Sequence, residues 1–306
     1  MKFFWKVVLL AGIVALLAVI LIFVLRPAKW VRGHIRFPEQ VLLEDFQRPL
    51  DRDLTASLEQ LYALPLCAGS QLGPSMDENV LKPLVDDPQS IGVASSAIQL
   101  TEGNSFGRAD LLDIVRDCAK ILGIPVPRIY VVTGAGLNAK TMNTADPMIV
   151  LDSTLLRRNP PASEWRFIIG HEMGHIKCRH VRWTMALDAA RRTLPETVGT
   201  VALLPLLKWS REAEMSCDNA GLICCQDPRA AEHALMRRVS DLDNANLQRL
   251  DADAFINQRS STNYSGVAEA VQLWREVATD HPFVPDRIRQ LRKYAGTRQY
   301  QHLWED

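Results

Sequence analysis

What this sequence of 306 residues most plainly lacks is an excess of charge of either sign: 35 lysines and arginines stand against 35 aspartates and glutamates, so the formal net charge is zero. Proteins whose main partner is a polyanion carry a basic excess, so nucleic acid is excluded as the principal partner. Paired metal-ligand cysteine spacing of the C-x-x-C kind is also missing. The six cysteines are Cys67, Cys118, Cys178, Cys217, Cys224 and Cys225, and the last two are adjacent, a poor start for a disulfide framework. They read as free thiols on core faces, which points to a reducing compartment. Low-complexity and disorder-prone stretches are absent as well. The hydrophobic fraction of 47% is that of a globular chain with a buried core, and the length suits one large domain or two small ones.

One long hydrophobic run is present. From Val7 to Leu25, VVLLAGIVALLAVILIFVL has no charged or strongly polar residue. An unbroken helix of this stretch, rising about 1.5 Å per residue, is just long enough to cross a hydrocarbon core of about 30 Å. Phe3, Phe4 and Trp5 at one end and Trp30 at the other sit where interfacial aromatics belong. A cleaved signal peptide has a shorter apolar region and a small-x-small site, whereas Arg26-Pro27-Ala28-Lys29-Trp30 follows here. The reading is therefore an uncleaved anchor over residues 1–30, in contact with membrane lipid. Arg26, Lys29, Arg32 and Arg36 outnumber Lys2 and Lys6, which favours a single-pass protein with its C-terminal portion in the cytoplasm.

Residues 31–105 form a juxtamembrane or pro-like region of unclear role, with a candidate helix at Leu54–Leu64 and prolines at 65, 74, 83 and 88. From residue 106 the pattern sharpens. Apolar residues at helical spacing predict a helix over Ala109–Leu122, ended by Gly123. Arg128–Thr133 and Met148–Leu151 read as strands, the second followed by a helix capped near Asp152 or Ser153. Ala162–Leu187 reads as one long helix capped by Ser163, and Val198–Leu207, too short for a normal span, as a core helix with an interfacial segment as the alternative. Further helices are expected at Ala230–Leu242, Gly266–Thr279 and Pro285–Tyr294.

The chemistry lies in His171-Glu172-Met173-Gly174-His175. Residues four apart on a helix share a face, so both imidazoles can be directed at one ion with Glu172 beside them as general base. Gly174 leaves room on that face. A third ligand is needed. The metzincin arrangement would require glycine at 178 and histidine at 181, but Cys178 and Val181 stand there, and His180 reads as a surface residue. In WSREAEMSCDNAGLICC, Glu214 and Asp218 are four apart. Glu214 can complete the ligand set while Asp218 hydrogen-bonds a ligating imidazole, that of His171 by preference. Glu212 and Glu196 are rival ligands, but neither has an aspartate four residues later.

With both helices in hand, the chain resembles the gluzincin membrane metallopeptidases that include HtpX-type heat-shock proteases and the CaaX prenyl-protein protease (metallopeptidase family forty-eight). The resemblance runs from about Asp110 to Leu291 and rests on IIGHEMGHIKCRH, SREAEMSCDNAGL and HPFVPDRIRQL. Asn138-Ala139, followed by Pro147-Met148-Ile149-Val150, is similar to the family's asparagine-alanine turn and strand beside the cleft. It implies one Zn2+ per chain on His171, His175 and Glu214, with Glu172 as the catalytic base. It implies an α+β fold, mostly helical, whose small sheet holds an extended peptide at its edge. It also implies catalytic roles for His281, polarising the carbonyl or stabilising the oxyanion, and for Arg287, organising the site. Three departures stand out. Asn219 replaces a common arginine, Lys140 replaces a phenylalanine, and no transmembrane hairpin separates the two ligand helices.

The expected function is that of a membrane-anchored zinc endopeptidase acting on proteins or peptides, in protein quality control rather than CaaX processing. The alternative is an inactive metal-binding homologue serving as a membrane-attached interaction module. Glu172 argues against it, since a protein kept only for binding has no physical need of a general base.

Overall fold

A computed structural model describes residues 41–62, 97–103, 105, 108–133, 139–142, 146–184, 187, 196–240, 242–261 and 283–304. The expected anchor over 7–25, Cys67 and the helix expected at Gly266–Thr279 lie outside these residues. Among the described residues no helix is long and apolar enough to cross a membrane.

Helix α1 (Leu43–Phe46) and α2 (Pro49–Tyr62) come first, then the short strand β1 (Ile98–Gln99). Helix α3 covers Ala109–Leu122, and Gly123 ends it in the left-handed conformation (φ 61°) that glycine adopts without strain. Strands β2 (Arg128–Val132), β3 (Ala139–Met142) and β4 (Met148–Asp152) complete a sheet of order β1-β2-β4-β3. β2 and β4 run parallel, with Ile129 beside Ile149 and Val131 beside Leu151. β3 lies antiparallel to β4 at the sheet edge, with Thr141 opposite Ile149. Every residue of β4 is buried, as an unbroken apolar strand inside a sheet should be. Asp152 then caps α4 (Ser153–Arg158) by accepting the amide of Thr154.

Helices α5 (Ala162–Lys177) and α6 (Glu196–Cys225) form the spine, and α7 (Pro228–Arg237), α8 (Asn244–Gln248), α9 (Ala252–Ser261), α10 (Val284–Ala295) and α11 (Arg298–Gln301) pack around them. The fold is mostly helical α+β, as expected. Of the details that differ from the sequence reading, three concern the helices of the site. Helix α5 opens after Pro161 with no side-chain cap, so Ser163 does not cap it. It also stops at Lys177 rather than Leu187. Val198–Leu207 is the opening of the 30-residue α6, which continues through Pro205 to the acidic residues of the site.

The main core joins α3, β2, β4, α5, α6, α7 and α10 through residues such as Leu111, Ile149, Trp165, Ile169, Leu222, Leu235 and Ile288. A second cluster of Leu54, Leu58, Trp183, Trp209 and Ala213 seats α2 against α6. Phe46 of α1 enters the main core, so residues 41–62 pack directly on the helices that carry the site.

Candidate metal centre and catalytic site

Two helices can present side chains to one point only if their backbones come close. Small residues permit that here. A Cβ on Gly170 would come within 2.6 Å of the Cys224 Cβ, and one on Gly174 within 3.1 Å of the Cys217 Cα. From the other side, a Cβ on Gly221 would meet the Phe167 carbonyl oxygen at 2.7 Å. Glycine at these three positions lets α5 and α6 approach until His171, His175 and Glu214 converge.

His171 Nε2 lies 3.6 Å from Glu214 Oε2, and His175 Nε2 lies 3.4 Å from Glu214 Oε1. One ligand atom from each of the three residues falls within 4.8 Å of the others, and all three side chains are buried. The two rings stand nearly perpendicular, at 79°. Glu212, a rival in the sequence, faces away and pairs with Arg48 at 2.6 Å. Glu196 begins α6, about 27 Å of helix rise from Glu214.

Behind the triad stands a charged brace. His171 Nδ1 lies 3.0 Å from Asp218 Oδ1. Arg287 reaches from α10 to donate through Nε to Asp218 Oδ2 at 2.8 Å and through Nη2 to Oδ1 at 2.6 Å. Its Nη1 lies 3.0 Å from Glu214 Oε2. Burial pushes the His171 imidazole below its ordinary pKa of 6.5, and the Asp218 bond and Glu214 charge offset this only in part. Burial would raise the Asp218 carboxyl, but Arg287 holds it below its ordinary 3.8. The ring is thus neutral with Nδ1–H donated to an ionised Asp218, and its Nε2 lone pair faces Glu214. Two imidazole nitrogens and a carboxylate oxygen, buried and converging, are a donor set suited to a divalent transition metal such as zinc.

Glu172 sits on the same helix, buried beside the triad. The hydroxyl of Thr141, in β3, lies 2.7 Å from Glu172 Oε2 and 2.9 Å from the Glu172 carbonyl oxygen, so the edge strand holds this carboxylate in place. A cleft opens next to it. Ala139, Leu155, Phe167, Ile168 and Ala234 supply apolar walls, and Arg237 and Arg238 line it as well. Arg237 is tied to Glu164 at 2.7 Å.

Of the sequence-derived residues, His171, Glu172, His175, Glu214, Asp218 and Arg287 are brought together, and Ala139 starts the edge strand beside them. Asn138 and His281 lie outside the described residues. Asn219, the departure after the aspartate, donates through Nδ2 to the Phe46 carbonyl at 2.9 Å, and so ties α6 to α1.

His180 corrects the sequence reading. It is fully buried rather than on the surface. The reason is the way α5 ends. Arg179 adopts a left-handed conformation (φ 59°), the amide of His180 bonds the His175 carbonyl at 2.9 Å, and the amide of Arg179 bonds that of Ile176 at 3.1 Å. This is a Schellman ending, which normally uses glycine at the left-handed residue. With arginine there, the sequence carries no stop signal, and the turn folds His180 back under His175. Thr141 and Asp51 were also missed, and no local pattern marks either of them.

The chain resembles known proteins over this same region. It is 28% identical, over 271 residues, to the plastoglobule-localized metallopeptidase 48, chloroplastic, of Arabidopsis thaliana, a match covering 85% of this chain and 75% of that relative. No solved structure matches it significantly. The description of Peptidase family M48 fits residues 107–195 and 193–295, more than half of the sequence and both helices of the site, so the chain belongs to peptidase family M48 and is a metallopeptidase.

Proposed function

We propose that this chain is a zinc-dependent endopeptidase in which His171, His175 and Glu214 hold one ion and Glu172 is the general base. The observation that carries this reading is the convergence of two imidazole Nε2 atoms on the Glu214 carboxylate, with Asp218 behind His171 and Glu172 alongside. Zinc bound there would polarise the scissile carbonyl and lower the pKa of a water from 15.7 to about 7. Glu172 takes the proton of the attacking water as its oxygen bonds to the carbonyl carbon. The same carboxyl then passes that proton to the amide nitrogen, the C–N bond breaks, and a free amine and a carboxylic acid leave, the acid losing its proton to solvent. Thr141 orients Glu172 for both transfers through the 2.7 Å contact to Oε2.

The substrate lies extended along the outer edge of β3, the last strand of the sheet, taking main-chain hydrogen bonds as a further strand. One of its side chains enters the cleft between Phe167, Leu155 and Ala234. Arg287 touches Glu214 and Asp218, so its role is positioning. His281 supplies oxyanion stabilisation in this scheme, and Asn138 leads the substrate strand. Residues 1–30 anchor the chain in a membrane, the juxtamembrane region 31–105 packs on the peptidase domain through 41–62, and 106–306 form that domain on the cytoplasmic side, where it removes damaged proteins.

Glu172→Gln tests the mechanism. We expect casein cleavage to fall by about 10²–10⁴-fold, with zinc still bound at one per chain. Proteolysis and zinc content both equal to those of the parent protein would defeat the assignment. Full zinc occupancy in Glu214→Ala would remove Glu214 from the ligand set.

A further inference from the structure

The proposed ligands differ in what stands behind them. Asp218 holds His171, but the other face of His175 meets a second histidine. His175 Nδ1 lies 3.3 Å from His180 Nδ1, with the rings at 74°. His180 Nε2 in turn lies 3.1 Å from Asp51 Oδ1 and 3.2 Å from Oδ2. Asp51 and His180 are fully buried. Their surroundings complete the network. Thr55 Oγ1 donates to Asp51 Oδ1 at 3.1 Å, Trp209 Nε1 donates to Thr55 Oγ1 at 2.9 Å, and Trp209 closes over His180 edge-on at 5.6 Å. The Cys217 Sγ lies 3.5 Å from His180 Nδ1, and its thiol, which burial keeps protonated, can donate to a lone pair there.

We propose that Asp51 and His180 are positioning residues that fix the tautomer of His175 through a two-histidine relay. This rests on the zinc centre proposed above. A carboxylate at Asp51 accepts and cannot donate, so the proton of a neutral His180 sits on Nε2. His180 Nδ1 is then a lone pair, and the neighbouring His175 Nδ1 must carry the proton between them. That leaves His175 Nε2 unprotonated, the atom facing Glu214 and able to ligate. The opposite arrangement would set a His180 lone pair against the Asp51 carboxylate and place the His175 proton on the ligating nitrogen. Asp51 thus selects, at two rings' distance, the form of His175 that a metal needs. The relay links α2 to the centre across 129 residues of sequence.

The test is the zinc dissociation constant of the full chain, measured by competition with a chromophoric chelator. Asp51→Asn can donate to His180 Nε2 and reverse the relay, and His180→Phe removes it. Each is expected to weaken zinc binding by about 10–100-fold, the usual effect of losing a group behind a ligand. His180→Asn puts an amide oxygen near the former Nδ1 and is expected to recover most of that loss. In the zinc-loaded parent protein with 15N-labelled histidine, NMR is expected to show His175 protonated on Nδ1. Unchanged affinity in Asp51→Asn and His180→Phe would overturn the relay while leaving the zinc centre standing. So would His180→Asn as weak as His180→Phe, or a second zinc per chain that disappears with His180. A parent protein that binds no zinc would instead defeat the centre itself.

Discussion

The two histidines of the HEMGH helix are supported in opposite ways. His171 leans on Asp218, which shares helix α6 with Glu214 at a spacing of four and is clamped by Arg287 from α10. His175 leans on His180, which a helix ending turns inward, and through it on Asp51 of α2. The first brace is built from regular helices and helical periodicity. The second depends on a non-glycine residue in a left-handed turn and on packing between distant segments. Similar demands on a ligand are thus met once by secondary structure and once by tertiary structure.

The comparison has a charge side. Around His171 the brace is ionic, with two carboxylates sharing one buried guanidinium. Behind His175 the Asp51 carboxylate stands one ring further away, and the imidazole of His180 carries the connection. The largest effect should therefore come from breaking the ionic brace. Arg287→Leu leaves Glu214 and Asp218 buried without their cation, and should cost about 3–5 kcal/mol of folding stability in the metal-free protein. Urea denaturation measures it. A loss below 1 kcal/mol would mean that the carboxylates take up their protons at little cost and that the brace is not primarily electrostatic.

A double mutant asks whether the two supports are independent. If Asp218→Asn and Asp51→Asn each act on a different histidine, each weakens zinc about 10–100-fold and the two losses multiply. Chelator competition on the two single variants and the double variant gives the answer. A double variant no weaker than the worse single one would show a single network instead of two.

The smallest effect concerns the turn itself. Arg179 holds a left-handed conformation at which a side chain costs about 1 kcal/mol. Arg179→Gly should relieve most of that strain, offset in part by the added freedom of the unfolded chain. We expect a gain of about 0.5 kcal/mol in urea denaturation, with zinc affinity unchanged. A destabilised variant would show that the Arg179 side chain makes a contribution larger than its backbone strain.

These contrasts also explain what the sequence made legible. Ala109–Leu122 was readable to the residue because its apolar spacing is regular and Gly123 ends it. The strands Arg128–Val132 and Met148–Asp152 were readable because β-branched runs bounded by proline and an aspartate cap say strand, then turn. His171, His175, Glu214 and Asp218 were readable because helical faces repeat every three to four residues. His180 was not, since extending α5 through Leu187 pointed it outward and no glycine announced the turn. Asp51 and Thr141 were not, since one acts across 129 residues and the other is an ordinary threonine on an edge strand. Periodicity reveals what one element places on its own face. It is silent on what a neighbouring element brings to that face.

Everything proposed here depends on one zinc ion among His171, His175 and Glu214. A crystal of the full chain, measured on both sides of the zinc absorption edge, tests it most directly. A single anomalous peak is expected about 2.0–2.2 Å from both Nε2 atoms and from a Glu214 oxygen. A peak among Asp51, Cys178 and His180, or no peak from zinc-replete protein, would contradict it.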